Sequence, residues 1–262
     1  MTLYNRIISV VTSILISIYA SGVLAQDLRV ESQVFVEGTE TPVSENLTLF
    51  NGQITYDFQF AKDNSKQVTE IVIFDLRTRQ FVLLDLEREL RTDIAEFQLL
   101  KMVENLRGIA EVNEDTNFLL NPEFETEVDH DKGIVTLSND DMTYQATGSQ
   151  PGNTADLGSY FDSMDQLTRL SASDPSRLPP FPRLALNQEI QRNGLFPSEI
   201  EVRYRAGTIS KEEFQAKSKH TAGWELSDED QVRIKKAKIH WMQFERVSLA
   251  TYRGIEEQAA KN

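Results

Sequence analysis

The chain reads as an α+β protein: a curved, mostly antiparallel sheet laid down as a strand meander, packed with inserted helices and finished by a long C-terminal helix. Three observations predict this. Apolar and polar residues alternate over much of 27–92, around a strong Asn51-Gly52 hairpin turn. The spacing then switches to three and four residues at Ile94, Phe97, Leu100, Val103 and Leu106, and again from Leu157 to Leu170. A second strand group lies between these helical stretches.

In order, Leu28, Val30, Ser32, Val34 and Val36 alternate against Arg29, Glu31, Gln33 and Glu37. Leu47–Phe50 and Ile54–Phe60 flank the Asn-Gly turn, and Ile71–Phe74 and Phe81–Leu84 continue the meander. Asp93 with Glu96 forms a capping box, opening a helix that runs to about Gly108. Phe124–Val128, Ile134–Leu137 and Met142–Ala146 are strands separated by Asp- and Asn-rich turns. Leu157, Tyr160, Phe161, Met164, Leu167 and Leu170 mark an amphipathic helix. Leu178 to Pro182 is a stiff connector, and Pro182 suits the first turn of a short helix ending near Gly194. Ile200–Tyr204 is one more strand. Ser227-Asp-Glu-Asp starts the last helix, with Ile234, Ala237, Trp241 and Phe244 on one side. The expected division is a signal peptide over 1–25 and a single domain over 26–262, strand-rich over 27–147 and helix-rich over 154–262.

One stretch repeats itself. "EIVIFDL" at 70–76 is echoed by "FVLLDL" at 81–86, each with four apolar residues before Asp-Leu. A hairpin turning around Arg77-Thr78 places Phe74 opposite Phe81, Asp75 opposite Gln80 and Asp85 opposite Glu70. Asp75 and Asp85 are then roughly 17 Å apart at about 3.3 Å per residue. Two carboxylates that share a glycosidic bond need about 5 to 10 Å, so the echo is structural. Four consecutive apolar residues point side chains to both faces, so this hairpin must be covered twice: by helices on one face, and by more sheet or a ligand on the other, with plain burial of both faces under the inserted helices favoured over a ligand cavity. If a ligand lies there, Val72, Phe74, Phe81 and Leu83, or their alternates, are its wall.

The first residues form an export signal: Arg6, an apolar run from Ile7 to about Ala20, and a small-residue cleavage site ending at Ala25, before Gln26. The run is shorter than the ~20 apolar residues of a membrane span, so no stable membrane insertion is expected after cleavage. Without cysteine the chain forms no disulfide, and its stability must come from a core. A formal charge of −14 argues against nucleic acid as a partner, since phosphate binding needs clustered cations. The cluster Arg233, Lys235, Lys236 and Lys238 reads as a solvated helix face.

Catalytic signatures are scarce. His130 lies in a polar turn, His220 in a Lys-rich, Gly-containing loop and His240 on the flank of the last helix, without the spacing of a metal site. No GxSxG, SxxK or P-loop motif occurs. No catalytic residue, metal or cofactor is assigned on this reading.

Two stretches carry a resemblance: "LRVESQVFVEGTETPVSENLTLFNGQITYDF" with "EIVIFDLRTRQFVLLDLERELRT", and the later "LPPFPRLALNQEIQRNGLFPSEIEV". The pattern resembles uncharacterised exported bacterial proteins whose meander is distantly similar to the half-barrel of periplasmic lipoprotein carriers such as LolA and LolB. The resemblance implies a non-enzymatic module that holds an apolar small molecule, a lipid or an acyl chain, on a curved sheet. Three functions follow: an exported, periplasmic or extracellular binding or scaffolding protein; a cell-envelope hydrolase using scattered carboxylates; or an interaction protein with a protein partner.

Overall fold

A computed structural model of the chain describes residues 27–62, 66–110, 117–152, 157–174, 177–205 and 213–254. The expected signal peptide over 1–25 lies outside the described residues. Twelve strands are present among the described residues: β1 (Leu28–Val36), β2 (Ser44–Asn51), β3 (Ile54–Phe60), β4 (Val68–Asp75), β5 (Gln80–Asp85), β6 (Leu90–Ala95), β7 (Glu125–Asp129), β8 (Ile134–Ser138), β9 (Met142–Ser149), β10 (Phe196–Arg205), β11 (Glu213–Gly223) and β12 (Glu245–Arg246). The helices are α1 (Glu96–Ala110), α2 (Asn117–Leu120), α3 (Leu157–Arg169, continued by a 3-10 turn over Leu170–Ser173), α4 (Phe181–Arg192), α5 (Asp228–Gln243) and α6 (Leu249–Tyr252).

All twelve strands join one sheet in the order β12-β6-β5-β4-β3-β2-β1-β11-β10-β9-β8-β7. Every ladder is antiparallel except the short β12–β6 pair, which is parallel and makes the sheet mixed. The sheet is open, with β12 and β7 at its two edges. It is two meanders joined where β1 pairs β11, from Arg29↔Gly223 to Val36↔Ala216.

This corrects the expected fold class. The antiparallel meander is present, but it is part of a single mixed twelve-stranded sheet that carries more of the described residues than the helices do, and among those residues there is no long C-terminal helix. The helix does begin after Ser227, with Ser227 and Asp230 bonding reciprocally as a capping box, yet it has only 16 residues. Phe244 is extended, and the chain then adds β12 beside β6 and the short α6. The first helix also starts later than expected. Asp93 is a strand residue of β6, and its carboxylate pairs Arg246 at 2.8 Å instead of capping a helix. The buried side of α1 carries Leu99, while Phe97 and Leu100 are exposed.

The hairpin register is as read from the echo: Phe74 faces Phe81, Asp75 faces Gln80 and Glu70 faces Asp85. The two Asp-Leu repeats are two copies of one turn. Asp75 Oδ1 accepts from the Arg77 and Thr78 amides, and Asp85 Oδ1 accepts from the Glu87 and Arg88 amides. Each turn closes on a left-handed residue, Arg79 at φ 53° and Glu89 at φ 54°. Both carboxylates therefore act locally as turn formers.

The sheet has helices on both faces. On one, Ile71, Ile73, Val82 and Leu84 join Leu47, Leu49, Tyr56 and Phe58 under Ile234 and Ala237 of α5. On the other, Val72, Phe74, Phe81 and Leu83 pack with Leu99 of α1, Leu170 and Tyr252. Farther along that face, α3 and α4 bury Tyr160, Phe161, Leu186 and Ile190 against Leu28, Val135, Ala146 and Ile200. Helices thus cover both faces of the hairpin, the plain two-sided burial that the residues favoured over a ligand cavity.

Candidate functional site

Between these two cores, on the face covered by α3 and α4, the packing opens into a cavity of about 490 Å³. Its floor is the middle of the sheet, where Asp57 of β3, Asn46 of β2, Ser32 of β1, His220 and Ser218 of β11 and Ile200 of β10 share one face. Its roof is Met164 and Leu167 of α3, Ser171, the connector Arg177-Leu178-Pro179-Pro180, and Arg183 of α4. The stiff connector holds the roof off the floor, because proline fixes φ and starts α4 at Phe181 with a proline in its first turn.

Two polar groups are built into the floor. Asp57 Oδ1 accepts hydrogen bonds from Asn46 Nδ2 at 2.6 Å and Thr48 Oγ1 at 2.7 Å. Its other oxygen has no hydrogen-bond partner among the described residues. Among the described residues no cation lies within ion-pairing distance of this carboxylate; burial raises its pKa above the ordinary aspartate range, against the pull of the Thr48 and Asn46 bonds and of the more distant Arg177.

The second group is His220. Its Nδ1 lies 2.9 Å from Ser32 Oγ and its Nε2 lies 3.0 Å from Ser218 Oγ. Ser218 donates onward to the Ile200 carbonyl at 3.4 Å, which leaves Nε2 as the proton donor and Nδ1 as the acceptor from Ser32. Burial, and then the nearby Arg183 guanidinium, push the imidazole pKa down to about 3. His220 is therefore neutral at physiological pH. As a base it is too weak to activate Ser32, and no carboxylate stands behind its other nitrogen. Nor can it exchange a proton with Asp57, which lies three strands away, roughly 14 Å at about 4.8 Å per strand.

The four residues expected to wall an apolar cavity lie elsewhere on this face. Val72, Phe74, Phe81 and Leu83 are at most 1% exposed and pack solidly, with the Phe74 and Phe81 rings stacked at 4.4 Å. Phe81 also borders a smaller hollow of about 350 Å³ on the opposite face, walled by Ile54, Ile73, Val82 and Trp241. His220 is not in a loop: Lys217 and Lys219 alternate with Ser218 and His220 along β11, the lysines outward. Asp57, Asn46, Arg183 and His220 were missed in the sequence. For Asp57 there was a signal, an acid at the centre of the apolar strand Ile54–Phe60. Among the described residues no cluster of three or more His, Asp or Glu is placed to hold a metal ion. Nor is any helix among them long and apolar enough to cross a membrane.

No family model matches the chain, and no curated protein matches it. Among solved structures, it is similar to PNGF-II in a C2 crystal form, with 12% identity and a TM-score of 0.37 over 88% of this chain and 32% of that one. The P21 form of PNGF-II gives 11% identity and a TM-score of 0.33 over 83% of this chain and 34% of the other. The chain spans about a third of the length of those structures.

Proposed function

We propose that this chain is an exported binding protein that holds a small amphipathic molecule in the cavity between the sheet and α3–α4. The observation that carries this reading is the cavity itself: about 490 Å³ at the centre of a sheet face whose two flanks are solid core. That volume is in the range of small-molecule sites, roughly 300 to 1,000 Å³. Its lining suits a ligand with one apolar and one polar part, because Val34, Met164, Leu167, Ile200 and Val202 alternate with Asp57, Asn46, Ser32 and His220. Asp57 supports the reading further. A buried carboxylate without a cation costs stability, and such groups gather at functional sites.

Export rests on Arg6, the apolar run and Ala25. The likeness to lipoprotein carriers drawn from the residues agrees with ligand storage on a helix-covered sheet face. A hydrolase is disfavoured by the separation of Asp57 and His220 and by the weakness of the imidazole as a base. Native mass spectrometry of protein purified from its own host tests the proposal. A small molecule retained on the folded chain is expected, and repeated detection of the bare polypeptide mass alone would count against it.

A further inference from the structure

Arg183 is a cation of the cavity roof that forms no ion pair among the described residues. It sits in the first turn of α4, half-buried, and lines the cavity opposite His220. Its Nε donates to Asn187 Oδ1 at 2.9 Å, one helical turn on, and Asn187 Nδ2 donates to Asp165 Oδ1 of α3 at 2.9 Å. Asn187 is 2% exposed, so this relay is fixed within the packing of α3 on α4. It holds the guanidinium by one edge. Nη1 and Nη2 bond nothing among the described residues, and no carboxylate among them lies within ion-pairing distance.

Most of the other described arginines are ion-paired; Arg91, Arg107 and Arg205 are not, but they do not line this cavity. Arg79 is clamped between Glu96 and Asp162, Arg253 pairs Glu70, and Arg29 pairs Glu31 and Asp230. In a chain with an excess of acid, an oriented but unpaired guanidinium at a cavity wall is a vacant half of a fork. Two parallel N–H donors match the two oxygens of a carboxylate or a phosphate. We infer that the ligand's polar end is an oxyanion, a carboxylate or phosphate group, held by the Nη1 and Nη2 donors of Arg183, with its apolar part lying against Val34, Ile200, Val202 and Met164. The inference rests on the binding role proposed above and names the ligand class for that same site. Asp57, across the floor, keeps the anionic end at Arg183 by repelling it from its own side of the cavity.

Calorimetric titration of the folded chain with four ten-carbon probes, each below its micelle concentration, tests this: decanoate, decyl phosphate, decanol and decylammonium. One or both acids should bind roughly tenfold or more tightly than the alcohol and the ammonium, the scale of a charge-assisted pair. Whichever acid leads identifies carboxylate or phosphate as the natural head group. Arg183→Met should bring the acids down to the affinity of decanol and leave decanol unchanged, which also shows that the cavity is still formed. Arg183→Lys, which keeps the charge and loses the fork, should fall between and serves if the Met variant does not fold. Equal affinity for acids and alcohol, or acid binding untouched by both substitutions, would overturn the inference while leaving the binding role in place. Failure of all four probes to bind would overturn both.

Discussion

Replacing His220 with Gln separates the cost of one buried imidazole from everything else that titrates in this protein. In the folded chain the ring is held neutral between Ser32 and Ser218, its pKa pushed down to about 3 by burial first and by Arg183 second. In the unfolded chain it titrates near about 6.5. Between those values the unfolded chain binds more protons, so His220 withdraws stability as the pH falls below about 6.5, and the loss levels off only near pH 3. Each pH unit within that window is worth about 1.4 kcal/mol. From pH 7 to pH 5 the loss traceable to this residue is roughly 2 kcal/mol, because part of the first unit lies above the unfolded value. Gln keeps a donor and an acceptor for the serines and does not titrate. Urea unfolding of both proteins at the two pH values isolates the effect, since every other group is common to both. The natural chain should lose roughly 2 kcal/mol more than the variant. Equal losses would mean that the imidazole is solvated in the folded protein, and that its place beneath α3 and α4 is wrong.

Three other expectations follow from the same geometry. Asp57→Asn should stabilise the protein at neutral pH, because burial raises the folded carboxyl pKa and the charged form costs stability above it; the gain should fade as the pH drops to the ordinary carboxylate range. Thermal melts at pH 7 and pH 4 check this, and a loss at pH 7 would show that a cation pairs the carboxylate. Phe74→Ala and Phe81→Ala should each cost roughly 3 to 5 kcal/mol, with a coupling of about 1 kcal/mol in the double variant from the stacked rings. Single losses below about 1 kcal/mol in denaturant titrations would contradict the solid core at that hairpin. Edman sequencing of the exported protein should begin at Gln26, and an intact Met1 would refute the export signal.

What was legible in the sequence was local. The hairpin between β2 and β3, which turns at Gly52-Gln53, one residue on from the expected Asn51-Gly52, the Phe74–Phe81 register and the helix start at Ser227 all depend on residues close in the chain, and the structure contains all three. Three strands were missed, β6, β11 and the two-residue β12, the first two for an identifiable reason. β6 alternates Leu90, Thr92 and Ile94, but the Asp93 and Glu96 pair imitates a helix cap. β11 presents only small and polar side chains to the cavity itself, Ala216, Ser218 and His220, so its alternation there does not register as hydrophobic. With β11 read as a loop, the β1–β11 ladder that joins the meanders could not be foreseen, and neither could a cavity with His220 in its floor. The stripe read on α1 was right only in part: Val103 and Leu106 pack against Leu120 and Phe181, while Phe97 and Leu100 face solvent. Asp57 and Arg183 belong to one site only through contacts across the sheet and between α3 and α4, which carry no sequence period.

The central claim is that the hollow beneath α3 and α4 is a ligand site, and filling it tests that most directly. Ala216 lies on the cavity floor, paired with Val36 of β1 on one side and Val202 of β10 on the other, so the indole of Ala216→Trp would project into the empty volume without displacing core. Titration with the fluorophore 1-anilinonaphthalene-8-sulfonate, which is apolar with one anionic group, should show saturable one-to-one binding to the natural protein. The Ala216→Trp variant should be as stable in urea and should have lost that binding. Equal saturable binding by both proteins would place the site elsewhere, and no saturable binding by the natural protein would contradict the account.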